Sequence, residues 1–516
     1  MRALTALAFA LLAGFGCGED DPILPPIDDV GLDAGTEADT GTADASSTDL
    51  GSVDAGSVDA GDGDAGMSTL VLGHERELRG LWLATVYGLD FPSTRGLDPA
   101  AMRAELESWV ALAHELGFNA LFFQARPESD ALYASSHEPW SRYLAGAQGV
   151  DPGLDPLATL TELAHARGIE VHAWLNPYRA AASASAPLDP RHVAAIHPEH
   201  AHVYGDALWM DPGAATVRAH VLRVIRELAT TQDIDGVHLD DYFYPYPVDG
   251  LDFPDALTWS AYQATGGTLS RADWRRSNVD ALVESIGALL AREAPDLSFG
   301  ISPFGIFRPG MPEGISGLDQ FESLYANPPR WMSEGWVDYV APQLYWPTTQ
   351  SRQAFEPLFR WWDALPRTGH LFVGLNTWAV ESSGSWPVSE LSAQIELVRQ
   401  LGSGPAGLIH FRGAKLRDGS EALRAALRAA HAQPAMTPPL PTRATTTPEP
   451  PRWDGAAFTA PEGARALLRY EGRGDEFTLV EVTGPGVAMS PTPGTRQGFS
   501  VVDRRGVESP AVIFEP

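Results

Sequence analysis

The sequence is short of several things, and each shortage removes a class of protein. One of its 516 residues is cysteine, Cys17, so no internal disulfide can form and the fold must rest on packing. Positive charge is scarce: 36 Lys and Arg face 67 Asp and Glu, for a net charge of −31. Residues 18–66 carry 14 of those acids and neither Lys nor Arg. That balance argues against nucleic acid or an anionic membrane surface as a partner. HExxH, CxxC, GxxxxGK[ST] and GxSxG are all absent. Zinc-peptidase, P-loop and serine-hydrolase chemistry therefore have no signal. No cofactor is expected, and no tight set of metal ligands is visible.

What is present begins with "MRALTALAFALLAGFGC". One Arg precedes an apolar stretch of about a dozen residues, too short to span a bilayer, and then small residues; this reads as an export leader over residues 1–17. Cys17 at its end reads as a lipid attachment site. The expected location is the cell envelope, on the outer surface or in the periplasm, with membrane contact only through that lipid. Otherwise the chain is secreted and Cys17 leaves with the leader. Residues 18–70 are rich in Asp and Gly and contain "GSVDAGSVDAG". They cannot bury a core and read as a disordered acidic tether.

From 75 to 432, strand-like runs alternate with amphipathic helical ones. The strand candidates are 79–86, 119–126, 170–177, 235–242, 298–305, 338–346, 370–378 and 406–413. Helical stretches between them open on Asp-Pro ("DPAAMRAELESWVALAHELG", "DPLATLTELAHARG") and stop at Gly. Eight strands alternating with helices predict an α/β fold, a (β/α)8 TIM barrel. Residues 433–452 form a Pro/Thr linker. Residues 453–516 hold four short strand-like runs between Gly and Pro and predict a small C-terminal β-sandwich.

Barrel enzymes carry their chemistry at the C-terminal ends of the strands. Side chains alternate along a strand, so each can be divided into an inward and an outward set. In "DGVHLDDY", Val237 and Leu239 suit the helix-facing side. His238 and Asp240 then point inward, and Asp241 falls on the outer side. The same division sends inward Gln124 and Arg126, His172, Trp174 and Asn176, Ser302, Gln343 and Tyr345, Asn376 and Trp378, and His410 and Arg412. An inner set this polar is unusual for a barrel that only packs. Trp174, Trp346, Trp378 and Tyr242 are candidate platforms for sugar rings. Glycoside hydrolysis needs a proton donor and a second carboxylate. Asp240 is the acid on the inward set. Its partner is open among Asp241, Glu128, Asp130, Asp206, Asp211 and Glu381. Arg126 and Arg412 are candidate cations for Asp240.

These segments also carry a resemblance. "RGLWLATVYGLDFPS", "FNALFFQARPESDALYASSHEPWS", "VHAWLNPYR", "DGVHLDDYFYP", "FGISPFGIFRPG", "DYVAPQLYW" and "GLIHFRG" resemble, in order, the glycosyl-hydrolase-like 10 family of bacterial envelope proteins. The resemblance implies a (β/α)8 polysaccharide hydrolase with cell-wall glycan, peptidoglycan included, as substrate. It highlights Arg126, Asp130, Asn176, Asp240, Asp241, Gln343 and Trp346. "SVVDRRGVESPAV" is similar to the last strands of a fibronectin type III module. "DGVHLDDYFYP" is also similar to the fourth-strand "DGxDxDxE" of family 18 chitinases; Asp240 matches the second Asp, and Tyr242 stands where the proton-donating Glu would be.

The expected function is thus an exported glycoside hydrolase. Asp240 is the general acid, and Asp241 or Asp130 its partner. Gln124, Arg126, Asn176, His238, Gln343, Tyr345 and Arg412 bind the saccharide. The rival readings are a non-catalytic glycan-binding lipoprotein and a metal-dependent deacetylase or phosphodiesterase built on Asp240, Asp241 and His238. Oligomeric state is not legible.

Overall fold

The computed structural model describes residues 68–515 apart from 383–385, 442, 444, 445 and 475. The leader, Cys17 and nearly all of the acidic segment lie outside the described residues.

Eight parallel strands form the core: β1 (Leu78–Leu83), β2 (Ala120–Arg126), β3 (Glu170–Leu175), β4 (Gly236–Leu239), β5 (Ser298–Ile301), β6 (Tyr339–Val340), β7 (His370–Leu371 and Val373–Leu375) and β8 (Gly407–His410). Each pairs with the next, and β8 pairs with β1, so the sheet closes into a barrel. Regular pairing in β6 is short because Pro342, which has no N–H to donate, interrupts it. Gln343 beyond the proline re-engages its neighbours through bridges to Phe304 and Gly374.

Helices α1 (Pro99–Glu115), α2 (Pro156–His165), α3 (Ala215–Thr231), α4 (Arg271–Glu293), α5 (Pro328–Ser333), α6 (Phe355–Asp363), α7 (Val388–Leu401) and α8 (Glu421–Ala430) follow the strands in turn. The Asp-Pro signals are met at α1 and α2. Asp98 and Asp155 accept backbone N–H bonds from Ala101 and Ala158, and the proline takes the first helical position, where its missing donor costs nothing.

The barrel axis is filled by large rings, among them Trp82, Phe122, Tyr339 and Phe372. They fit because small residues face them. A Cβ on Gly300 would lie 1.8 Å from the Tyr339 ring, and one on Gly407 1.9 Å from Phe372. His172 and His238 lie in the same layer. Both bond the Tyr339 hydroxyl, at 3.2 and 3.0 Å. The alternation predicted for β8 is reversed. Ile409 fills the barrel, while His410 faces the helix layer, edge-on to Phe118 at 5.3 Å.

The four predicted C-terminal strands form: β9 (Ala464–Arg473), β10 (Glu476–Thr483), β11 (Gln497–Asp503) and β12 (Ala511–Phe514). They make an antiparallel sheet in the order β12-β11-β9-β10. Ser68–Leu70 adds a fifth strand, pairing with β12, so the chain entering the barrel is clasped by its own last strand. One face buries Leu468, Tyr470 and Val502 with Met436. The other buries Leu467, Phe499 and Val501 under Phe458, which lies on a two-strand ribbon (452–453 with 458–459).

This module covers the N-terminal floor of the barrel through ion pairs. Arg465 reaches Glu170 at 2.7 Å, Arg505 reaches Asp296 at 2.5 Å, and Arg504 pairs with Asp233. Arg443, from the preceding segment, pairs with Asp338 at 3.1 Å. Among the described residues no helix is long and apolar enough to cross a membrane.

Candidate active site

β4 ends at Leu239. Beyond it the backbone leaves the ladder, and strand alternation no longer governs where side chains point. Asp241 therefore does not follow Val237 and Leu239 into the helix layer. It meets the Tyr246 hydroxyl, which donates to Oδ2, and the Gln343 amide from the end of β6 also holds its carboxylate form. Both acids are nearly buried, with Asp240 6% and Asp241 3% exposed.

The two carboxyls sit in different surroundings. Asp240 Oδ2 accepts from Trp174 Nε1 at 3.0 Å and from Asn176 Nδ2 at 2.5 Å, and Oδ1 accepts from the Tyr242 backbone N–H at 3.1 Å. Burial pushes the Asp240 carboxyl up. Arg179 and these donors pull it back only in part. For Asp241, burial and then the neighbouring Asp240 charge both push upward, to about 7, against the bonds from Tyr246 and Gln343. Asp240 thus has the groups that hold an anion, and Asp241 has the environment that keeps a proton near neutral pH.

Arg179 was not singled out in the sequence. It lies four residues past the end of β3, beyond the reach of strand parity, although "VHAWLNPYR" contains it. Its Nε donates to the Pro127 carbonyl at 3.0 Å, its Nη2 to Asn176 Oδ1 at 2.7 Å, and its guanidinium lies 5.2 Å from the centre of the Tyr242 ring. It fixes Asn176 and supplies the positive charge beside Asp240. That was the place expected for Arg126 or Arg412.

Those two arginines are engaged elsewhere. Arg126 is wholly buried. It pairs with Glu138 through Nε at 2.8 Å and Nη2 at 2.6 Å, and Nη1 donates to the Asn176 carbonyl. Arg412 pairs with Asp90 at 2.8 Å, and its guanidinium covers the Trp378 ring at 4.3 Å. Gln124, also wholly buried, accepts from the Thr85 and Val86 backbone and donates to Asn176 at 2.7 Å. His238 is wholly buried below the acids, between Phe122 and Tyr339. Gln124 and Arg126 hold Asn176 from within the barrel, Arg412 is tied to Asp90, and buried groups such as these and His238 are not open to a saccharide.

The aromatics divide likewise. Trp174 is buried with its ring in the barrel and its N–H on Asp240. Trp346 is buried edge-on to Phe304 at 5.6 Å. Tyr242, Tyr345 and Trp378 are half-buried, as are Tyr246 and Gln343, and these form the accessible rim.

The other acids considered as partners have surroundings of their own. Asp130 and Glu128 are buried together in the loop after β2. Asp130 accepts from Gln148 at 3.0 Å, while Glu128 accepts from Tyr143 at 2.9 Å and from the Ala182 N–H at 2.7 Å. Burial pushes both up, and for Glu128 the Asp130 charge adds to it. Asp211 is buried and bonds Thr258 at 2.6 Å. Asp206 and Glu381 are exposed. Among the described residues no group of three or more His, Cys, Asp or Glu is arranged to hold a metal ion.

The glycosyl hydrolase-like 10 family model matches residues 77–387, which carry seven of the eight barrel strands and deliver Asp240 and Asp241. The chain belongs to this family. Relatives within reach of sequence comparison include Glycosyl hydrolase YngK of Bacillus subtilis (strain 168), 36% identical over 397 residues, which span 73% of this chain and 76% of the relative. Glycosyl hydrolase DigH of Escherichia coli (strain K12) is 32% identical over 351 residues, spanning 62% and 79%. Among solved structures, the PgaB (BpsB) glycoside hydrolase domain from Bordetella bronchiseptica aligns with a TM-score of 0.43 at 16% identity, over 69% of this chain and 99% of that domain. As a member of the glycosyl hydrolase-like 10 family, the chain has a glycosyl-hydrolase-like barrel. The residues described above lie within the matched segment, apart from His410, Arg412 and the C-terminal module.

Proposed function

We propose that the protein hydrolyses glycosidic bonds in an envelope polysaccharide, with cell-wall glycan as the substrate. Asp241 gives its proton to the leaving oxygen, and Asp240, as the carboxylate, faces the oxocarbenium centre. The observation that carries this reading is the divided environment of the two acids. Two carboxyls whose surroundings separate their protonation are how one site runs acid and base roles together. This reverses the role expected for Asp240. Trp174, Asn176, the Tyr242 N–H and Arg179 all stabilise its anion, so a proton is better kept on Asp241. Gln343, Tyr242 and Tyr345 are the groups on the accessible rim that would contact the sugar. The leader-like N-terminus and Cys17 support export and envelope anchoring as part of the same proposal.

The test is release of reducing ends from purified peptidoglycan and a panel of neutral polysaccharides. Wild type is expected to turn over at least one of them. Asp240→Asn should lose about 10²- to 10⁴-fold in rate and keep binding. Binding by wild type with turnover on none would sink the hydrolase reading in favour of a glycan-binding module. Activity that disappears with a chelator would instead favour the metal-dependent alternative.

A further inference from the structure

The loop that starts with Asp240 and Asp241 runs to residue 270 and carries a helix, Ala256–Ala264, none of whose residues is buried. A helix this short does not hold itself together in water, and it usually docks an apolar face. Here Trp259 and Tyr262 rest in part on the buried Trp274 ring, at 5.3 and 6.1 Å, and polar groups fasten the start of the helix. Asp255, wholly buried at its start, accepts from Arg275 Nε at 2.7 Å and from Arg271 Nε at 3.0 Å, and Thr258 donates to Asp211 at 2.6 Å. The helix nevertheless presents apolar groups to water. Leu257 is 58% exposed, and Trp259 and Tyr262 are half-buried and stacked at 5.5 Å and 26°.

The apolar surface extends beyond the helix. Leu251, Val248 and Val203 are also exposed. They are joined through Tyr204, whose hydroxyl accepts from the Val248 N–H at 3.0 Å and donates to the Leu251 carbonyl at 3.3 Å. Both contributing segments leave the C-terminal ends of β3 and β4, as the catalytic residues do. Several large apolar side chains left in water on two firmly anchored loops mark a binding surface.

We infer that this face, centred on Trp259 and Tyr262, is a second saccharide-binding surface that holds the polysaccharide away from Asp240 and Asp241. The inference rests on the hydrolase reading for its ligand class. The C–H faces of pyranose rings are apolar and flat and match indole and phenol rings. The exposed acids Asp206, Asp249 and Asp252 nearby disfavour an anionic lipid surface. The helix also belongs to the same loop that carries Asp240 and Asp241.

The experiment compares Asp240→Asn protein with Asp240→Asn carrying Trp259→Ala and Tyr262→Ala, in sedimentation with purified peptidoglycan sacculi. In parallel, the two aromatic substitutions alone are assayed on intact sacculi and on soluble fragments of the same glycan. Binding is expected to weaken about tenfold or more, the scale of lost aromatic stacking. Hydrolysis of sacculi should fall while hydrolysis of soluble fragments is kept, which also reports that the variant is folded. Trp259→Phe should restore most of the binding. Unchanged binding, absence of sacculus binding by the Asp240→Asn protein, or an equal loss on both substrates overturns the inference. Loss of binding in a protein whose wild type hydrolyses nothing would uphold the second surface while removing the proposed hydrolysis.

Discussion

The two ends of the barrel bury the same kinds of group and treat them in opposite ways. At the floor each buried acid has a cation. Burial works to raise Glu77, but Arg399 and Arg79 carry it below its ordinary range. Against burial, Arg465 and His172 lower Glu170, and His165 takes Asp235 down to about 2. At the top, burial wins. Asp240 and Asp241 are both raised, with one arginine acting on Asp240 and their like charges adjacent. Paired acids fasten the C-terminal module and the helices to the barrel. The acids at the top keep electrostatic free energy stored, and chemistry can draw on it.

The largest expected effect breaks the top. Asp241→Asn should lower turnover by about 10²- to 10⁴-fold and leave the thermal midpoint unchanged or higher, because a buried like charge is removed. A drop in stability with activity per folded molecule intact would reverse the contrast. Next comes the floor. Arg465→Ala leaves Glu170 with only His172 and Thr437, and loss of one partner of a buried pair costs up to about 3–5 kcal/mol. Thermal denaturation should report that loss, with kcat unchanged for the molecules still folded.

A third prediction reads the pair through pH. The Asp241 carboxyl is useful as an acid only below its pKa, so kcat should fall as pH rises through about 7. The limb at low pH, where Asp240 protonates, should lie above the usual carboxylate range. In Asp241→Asn the upper limb should vanish, and a pH–rate profile checks both.

The smallest effect concerns buried histidines. Burial lowers His410 to about 3 and His431 to about 4. The unfolded chain then binds more protons than the native one below the ordinary histidine range. Stability is therefore full above about pH 6.5 and declines as pH falls toward 4. His431→Gln should flatten that decline in denaturant titrations at several pH values. If it does not, the carboxylates of the floor govern acid unfolding alone.

Much of the barrel was legible because its rules are local and repetitive. Asp-Pro caps mark α1 and α2, and parity places Gln124, Trp174, Asn176, His238 and Gln343 on the axial side. Parity failed where its premise failed. At β8 it was assigned by polarity, yet His410 is accommodated in the helix layer against Phe118 and Thr377. At the end of β4 the strand stops, so the side expected for Asp241 had no ladder to enforce it. Inward polarity was also a poor guide to access. Gln124 and Arg126 face in, but other protein groups hold their polar atoms, and His238 is buried too deep for a ligand to reach. Arg179 escaped notice because its position depends on contacts made past the end of β3, with the Pro127 carbonyl and with Asn176, which no periodicity encodes.

The sequence by itself determined the alternating architecture, the added C-terminal strands, the excess of acid and the presence of an Asp pair at the end of the fourth strand. All of these follow from composition and short-range order. Only the tertiary structure decided which acid holds a proton, which arginine faces Asp240, and that Ser68–Leu70 joins the last strand. Those outcomes depend on burial and on contacts between residues far apart in the chain, and the electrostatic balance of a carboxyl is the sum of such contacts.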